Sequence, residues 1–229
     1  IKTDNLLHED NASLTITDLA VGALADPVAT RETLLKWARG VDVKDDDADG
    51  SSTDARQAMG DPIHSQPVIV NYSLTDSAVF VATKHGFLHS FDPTTGEEKF
   101  AIKPKDLMDN LYDLYRDSST FSHIYGLDGD MVLRTAGSNI YLYVGMRRGG
   151  NNYYAFDITS KTNPKLMFKI EGGVGDFVNL GQTWSKPTVT KIKVGAASRN
   201  VLIFGGGYDE DQDSKLIRST DAVGNSVFI

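Results

Sequence analysis

Asp45, Asp47 and Asp49 stand at alternate positions and run into Gly50. Carboxylates spaced in this way, closed by a glycine, form the first half of an EF-hand loop, which wraps Ca²⁺ in hard oxygen ligands. Ser51 can present a backbone carbonyl at the seventh position. The twelfth position, where such a loop carries a bidentate Glu, is Arg56, so Asp54 or a distant carboxylate would have to substitute. The other reading is a solvated acidic loop from Asp42 to Asp54. A second run, Asp209, Asp211 and Asp213, follows Gly205-Gly206-Gly207-Tyr208 with the same alternation, and Glu210, Gln212 and Ser214 add oxygens. It lacks the glycine at the sixth position and the Glu at the twelfth. It is either a weak Ca²⁺ loop or a charged turn that blunts a sheet edge. The chain has no cysteine, so any ion held by either loop is expected to be Ca²⁺.

No residue set stands out as catalytic. His123, Tyr125 and Asp128 lie in His-x-Tyr-x-x-Asp-Gly, and a His beside a Tyr is more often structural. His64 and His89 adjoin strands without a third ligand at zinc spacing. Ser65 and Ser185 do not sit in a Gly-x-Ser-x-Gly elbow. Arg147-Arg148 beside Gly149-Gly150 resembles an anion-binding turn, is neither a P-loop nor a dinucleotide fingerprint, and reads as a solvated hairpin tip.

The elements that carry these residues recur. His64-Ser65-Gln66-Pro67 and Trp184-Ser185-Lys186-Pro187 each lead into a short alternating run, and midway between them Asp128-Gly129-Asp130 turns into Met131-Val132-Leu133. A repeat of about 60 residues built from short strands is the signature of β-propeller blades or a similar array. In the first repeat Val79, Val81 and Thr83 alternate with Phe80 and Ala82. Lys84-His85-Gly86 turns, Phe87 to Phe91 returns, Asp92 to Gly96 turns again, and Glu97 to Ile102 is the outer strand. In the second, Ile140 to Val144, Tyr153 to Phe156 and Lys165 to Ile170 follow the same plan, with Phe156-Asp157 matching Phe91-Asp92. Asp92 and Asp157 are expected to accept backbone N–H groups from the turns they open. A third repeat begins at Pro187. Strands are predicted over 65–72, 78–83, 87–91, 98–102, 139–145, 152–157, 165–170, 187–193 and 200–205.

The expected fold is therefore mainly β: a partial β-propeller of about three blades over residues 59–229, with short helical insertions. A small β-sandwich with evenly spaced turns is the alternative. The last strand, Ser226 to Ile229, stops before a Phe-Asp equivalent, which suggests a fragment of a longer chain. Residues 1–58 form a polar and helical lead-in with the acidic loop. Asp26 as N-cap, Pro27 at the first position and Gly40 as the stop bound a helix near 28–38. A second helix is predicted near 105–116, where Leu107, Met108, Leu111, Tyr112, Leu114 and Tyr115 have helical spacing. It is expected to decorate the blade rim.

Composition narrows the classes. A net charge of −8 without a basic cluster points away from nucleic acid as a partner. No window reaches the length and apolarity of a membrane span, so membrane insertion of this segment is not expected. The absence of cysteine fits a cytosolic protein and a bacterial envelope protein equally.

Read together, the motifs resemble one family. Met59 to Val68 resembles the "GD-x-x-HS-x-P" stretch of PilY-family type IV pilus biogenesis proteins, and Gly86-Phe87-Leu88-His89-Ser90-Phe91-Asp92 is similar to their "G-x-LH-x-FD". His123 to Gly129 looks like "H-x-Y-x-x-DG", and Gly149 to Thr159 like "GG-x-x-YYALD-x-T". Trp184-Ser185-Lys186-Pro187 and Gly206-Gly207-Tyr208 complete the series. The resemblance implies a modified, quinoprotein-like propeller in a cell-envelope or extracellular, pilus-associated protein. Its partners would be minor pilins and the pilus tip, with host or abiotic surfaces as adhesion targets. It implies a non-enzymatic role in pilus assembly, retraction control, twitching motility and adhesion. Some members carry a regulatory calcium loop, usually in a later blade, so it does not transfer to Asp209–Asp213. Two departures stand out. Lys84-His85-Gly86 replaces an N-D-G turn, and Arg39-Gly40-Val41-Asp42 is not an Arg-Gly-Asp motif. The rival reading from another class is a quinone-dependent dehydrogenase, which needs a central pocket with Ca²⁺, a base and stacking aromatics. A purely structural envelope scaffold is the third.

Overall fold

A computed structural model describes residues 5–118 and 123–229. Residues 1–4 of the expected lead-in fall outside that range. The chain forms two compact units, one from residues 1–61 and 103–124, the other from 62–102 and 125–229.

The first unit is built on two short helices. In α1 (Pro27–Ala38), the Asp26 carboxylate accepts the Ala29 N–H at 3.0 Å. Pro27 needs no partner for its nitrogen, and Gly40 leaves the helix at φ +88°. The buried side of α1 presents Leu34, Leu35 and Trp37 to Leu14, Leu19 and Val21 of the lead-in. The lead-in has no helical or strand period, yet it is ordered by turns. Arg31 ties it down by donating to the carbonyls of Glu9, Asn11 and Leu14.

The second predicted helix is broken. A 3-10 turn, Lys105–Leu107, precedes α2 (Leu111–Arg116), which ends at Asp117 in the left-handed region at φ +44°. It is expected to pack on a blade, and its apolar side packs within the first unit instead. Met108 and Leu111 are buried in the same cluster as Leu34, Leu35 and Trp37, and the Tyr115 ring meets Trp37 edge-on at 6.0 Å. An apolar stripe requires a partner surface and does not specify which one.

The second unit consists of three separate antiparallel sheets. The first is the meander β1 (Val68–Asn71), β2 (Ser77–Ala82), β3 (Leu88–Phe91) and β4 (Glu98–Ile102). The second repeats it with β5 (Met131–Ala136), β6 (Asn139–Gly145), β7 (Tyr153–Asp157) and β8 (Lys165–Ile170). The third runs β9 (Thr188–Val194), β10 (Ala197–Gly205) and β11 (Val227–Phe228). All nine predicted strands are present within a few residues, and β5, noted only as an apolar run, joins them. Burial is deepest on the inner pairs. Leu88, His89 and Ser90 in β3 and Tyr153 to Phe156 in β7 are buried, whereas Lys165 to Phe168 in β8 are exposed.

The repeat extends to irregularities. The β3–β4 register shifts between Ser90 and Phe91, and the β7–β8 register shifts between Ala155 and Phe156. Both bulges therefore fall at the Phe-Asp pair, where the added twist turns the strand out of its sheet. Immediately after, Asp92 Oδ1 accepts the Thr94 N–H at 2.9 Å and Asp157 Oδ1 accepts the Thr159 N–H at 2.9 Å, the expected turn contacts.

Glycines let the sheets approach one another. A β-carbon on Gly126 would lie 2.4 Å from Gly86 Cα, and one on Gly149 would lie 1.9 Å from the Gly126 carbonyl oxygen. Gly86 precedes β3 and Gly149 precedes β7, so equivalent loops of successive sheets are stacked through Gly126. Further along, a β-carbon on Gly129 would lie 2.5 Å from the Gly145 oxygen, and one on Gly207 would lie 2.2 Å from the Gln182 oxygen. Tyr72 Oη donates to the Ile158 carbonyl at 3.0 Å, and Tyr153 Oη donates to the Ser185 carbonyl at 2.6 Å, which fastens each sheet to the next. Among the described residues, no helix is long and apolar enough to cross a membrane.

Candidate functional site

The acidic loop of the first unit is closed at its base by Asp42 N–H on the Asp54 carbonyl and Arg56 N–H on the Gly40 carbonyl. Asp45, Ala48 and Gly50 all take positive φ, at +54°, +59° and +87°, and this coiling turns the alternate carboxylates inward. One oxygen each from Asp45, Asp47 and Asp49 lies within 4.8 Å of the others, the one such group among the described residues. Ca²⁺ bonds its oxygens at about 2.3–2.6 Å, so oxygens this far apart can share one ion. The remaining positions are unlike an EF-hand. Arg56, at the twelfth position, stacks on Trp37 at 4.2 Å from the ring centroid. The carboxylates of Asp45, Asp47 and Asp49 also accept N–H groups within the loop, from Gly50, Asp49 and Ser51.

The second acidic run does not gather in that way. It forms a 3-10 turn, Glu210–Ser214, capped by Asp209. The Asp209 carboxylate accepts the Ala222 N–H at 2.7 Å and the Asp211 N–H at 3.1 Å, and these backbone bonds hold its pKa below the usual range. Asp213 accepts from Arg148 at 2.6 Å and from Tyr208 Oη at 2.6 Å, and these partners hold its carboxyl down as well. Asp211 is exposed. Asp209 and Asp213 thus fix the turn against its surroundings.

His64, His89 and Ser185 make contacts that hold the sheets. Asp128, 1% exposed, accepts the His64 N–H at 3.0 Å and lies 2.6 Å from its ring Nδ1. This joins the His-Ser and Asp-Gly motifs one repeat apart. His89 packs between the rings of Phe87 and Phe91 and bonds Glu98 at 2.9 Å. Among the described residues the buried Ser65 hydroxyl has no hydrogen-bond partner, and Ser185 Oγ accepts the Gly205 N–H at 3.0 Å. Among the described residues neither serine hydroxyl is hydrogen-bonded to a histidine, the contact that a nucleophile–base pair requires.

Sequence reasoning missed one constellation. Arg147, read as part of a hairpin tip, lies with its Cζ 4.4 Å from the Trp184 ring centroid, and Arg148 Cζ lies 5.6 Å from the same centroid. Trp184 leans on Tyr208 at 5.7 Å. A local signal exists, since Arg147-Arg148-Gly149-Gly150 resembles an anion-binding turn. Its aromatic partner lies in the next repeat, beyond any local pattern. An apolar cleft of about 330 Å³ between the second and third sheets is lined by Tyr143, Phe168, Phe177, Leu202 and Phe204.

No protein-family model matches this chain. The type IV pilus biogenesis factor PilY1 of Pseudomonas aeruginosa strain PAO1 is 32% identical over 148 residues, which is 62% of this chain and 12% of the relative. A PilY1 homolog of Xylella fastidiosa is 32% identical over 145 residues, 61% of this chain and 11% of that one. PilY1 of P. aeruginosa strain UCBPP-PA14 is 29% identical over 196 residues, covering 72% of this chain and 16% of the relative. Among solved structures, the crystal structure of the P. aeruginosa PilY1 C-terminal domain is 28% identical, with a TM-score of 0.44 over 61% of this chain and 27% of that one. The chain thus spans 11–16% of the length of these curated relatives. Over the residues they share, it is homologous to the PilY1 type IV pilus biogenesis factors.

Proposed function

We propose that this chain is a segment of a non-enzymatic, pilus-associated protein of the bacterial cell envelope or surface, and that it supports type IV pilus assembly, retraction control and adhesion. The observation that carries this reading is the 32% identity to PilY1 over 62% of the chain. In this reading the three sheets are blades of an unclosed, modified propeller, and their stacking gives a rigid body for contact with minor pilins and the pilus tip. Asp45, Asp47 and Asp49 are the residues that would hold Ca²⁺, which would neutralise their mutual repulsion and stiffen the loop. A quinone-dependent dehydrogenase is the less favoured reading, because the relatives are described as pilus biogenesis factors.

The test is a chimaera. The matched segment of P. aeruginosa PilY1 is replaced by this chain in a strain lacking PilY1, and surface pili and twitching zones are measured. Recovery of both supports the reading. A chimaera exported at wild-type level that leaves piliation at the level of the deletion strain overturns it. Dye reduction by this chain with added pyrroloquinoline quinone would instead support the dehydrogenase.

A further inference from the structure

The loop after β6 holds a side chain in a backbone conformation that a glycine would adopt more easily. Arg147 has φ +50°, in the left-handed region that disfavours any residue with a β-carbon. Its neighbours leave it no alternative. Arg147 N–H donates to the Thr183 carbonyl at 3.3 Å, Met146 N–H to Thr183 Oγ1 at 2.8 Å, and Thr183 N–H to the Gly150 carbonyl at 3.1 Å. On the other side Gly149 lies directly against the Gly126 carbonyl. Strained residues persist where the surroundings over-determine them, and they cluster at binding sites.

The strain delivers a guanidinium to a prepared surface. Arg147 stacks on Trp184, whose indole N–H is fixed by Gln182 Oε1 at 3.2 Å, and Gln182 is in turn held by Glu210 at 3.1 Å. Arg148 has its carboxylate, Asp213. Among the described residues Arg147 has none, and its Nε is buried without an acceptor. Buried donors are nearly always satisfied in native proteins, so an unpartnered one requires an explanation. A guanidinium stacked on an aromatic ring presents its fork edge-on, the geometry that takes a planar carboxylate through two parallel hydrogen bonds. Glu210 and Asp213 border the platform in a chain of net charge −8. That acidic frame opposes a phosphate dianion more strongly than a singly charged carboxylate.

We propose that Arg147, stacked on Trp184, is a receptor for a single carboxylate supplied by a partner polypeptide, from either its C-terminus or an acidic side chain. This assignment is independent of the pilus reading. The experiment is an NMR titration of ¹⁵N-labelled protein that follows the Arg147 Nε–H and Trp184 indole N–H signals. N-acetyl-phenylalanine offers a terminal carboxylate, N-acetyl-aspartic acid α-amide a side-chain carboxylate, and N-acetyl-phenylalaninamide neither. Saturable shifts with one or both acids and none with the amide are expected, and the tighter acid identifies the source. Arg147→Gly relieves the strained φ, so it should fold with an unchanged or higher Tm and lose the response. Arg147→Lys, which keeps the charge without the fork, should bind roughly tenfold more weakly or worse and decides the matter if the glycine variant fails to fold. The proposal is overturned if neither acid gives a saturable shift. It is equally overturned if inorganic phosphate binds more tightly than both acids, or if a folded variant binds as the parent does.

Discussion

Gly149→Ala should be among the most damaging small substitutions in the second unit. The added carbon would lie 1.9 Å from the Gly126 oxygen and 2.7 Å from its carbonyl carbon. Relief requires the two backbones to separate by roughly 1–1.5 Å, because non-bonded heavy atoms pack at roughly 3–3.5 Å or more. Overpacking costs about 1–3 kcal/mol when side chains can yield. Here both partners are backbone, so the upper end applies, about 3 kcal/mol, reduced by about 0.4–1 kcal/mol for the stiffer unfolded chain. Gly137→Ala is the matched control. Its β-carbon would meet nothing within 4 Å, but its φ is +64°, so the cost is the left-handed penalty of about 1–2 kcal/mol, less the same unfolded-state gain. Urea titrations followed by the amide signals of β6 and β7 should place Gly149→Ala about 1–2 kcal/mol below Gly137→Ala. Equal stabilities, or a worse Gly137→Ala, would refute the claim that close backbone approach holds the sheets together.

Lys103 gives a pH dependence to the first unit. Burial pushes its ammonium from 10.5 down to about 7, against the pull of Asp109, and Nζ donates to Asn110 at 3.1 Å. Between about pH 7 and 10.5 the unfolded chain then binds more protons than the folded one, so stability rises with pH across that window. Below it both states are protonated and the penalty is complete. Denaturation followed by Trp37 fluorescence should show a gain on the order of 1 kcal/mol per pH unit from pH 7.5 to 9.5. Lys103→Met should abolish the slope, and a slope unchanged in that variant would assign it to other groups. For the acidic loop, calorimetry should give a Ca²⁺ dissociation constant on the order of 10⁻⁴ to 10⁻³ M, as in extracellular modules. The double change Asp47→Ala and Asp49→Ala should remove the heat, and equal heats from both proteins would exclude this loop as the site.

Much of the second unit could be read from period-two runs and the turns between them, because a half-buried strand imposes alternation on its own residues. Val79 to Phe91 and Tyr143 to Phe156 show this directly. Strand β5 was harder, since Leu133, Arg134 and Thr135 do not alternate in hydrophobicity. The 105–116 stretch has the same apolar spacing whether it is one helix or a 3-10 turn followed by α2, so its break at Asp109-Asn110 was hidden. Its destination beside Trp37 was hidden too. The Asp45, Asp47 and Asp49 grouping was legible because it is local. Capture of Asp213 by Arg148 was not, since the partners are 65 residues apart.

The residue types that first suggest chemistry are largely engaged in holding the sheets. His64 and Asp128 are 64 residues apart, about the interval between the two bulged Phe-Asp pairs, and their bonds fasten one repeat to the next. Gly86, Gly126 and Gly149 do the same by the side chains they lack. A motif made of joints recurs with the repeat because every repeat needs its joint, so recurrence in this chain marks architecture. A binding residue has no such reason to recur. Arg147 fits that distinction. At the equivalent turn of the first sheet stands Lys84-His85-Gly86, with the left-handed conformation given to glycine at φ +83°. In the second sheet an arginine takes such a conformation one residue into the turn, at a conformational cost that a glycine would avoid. The turn of the second sheet thus departs from that of the first against the local backbone preference, and it holds a guanidinium that, among the described residues, has no salt-bridge partner.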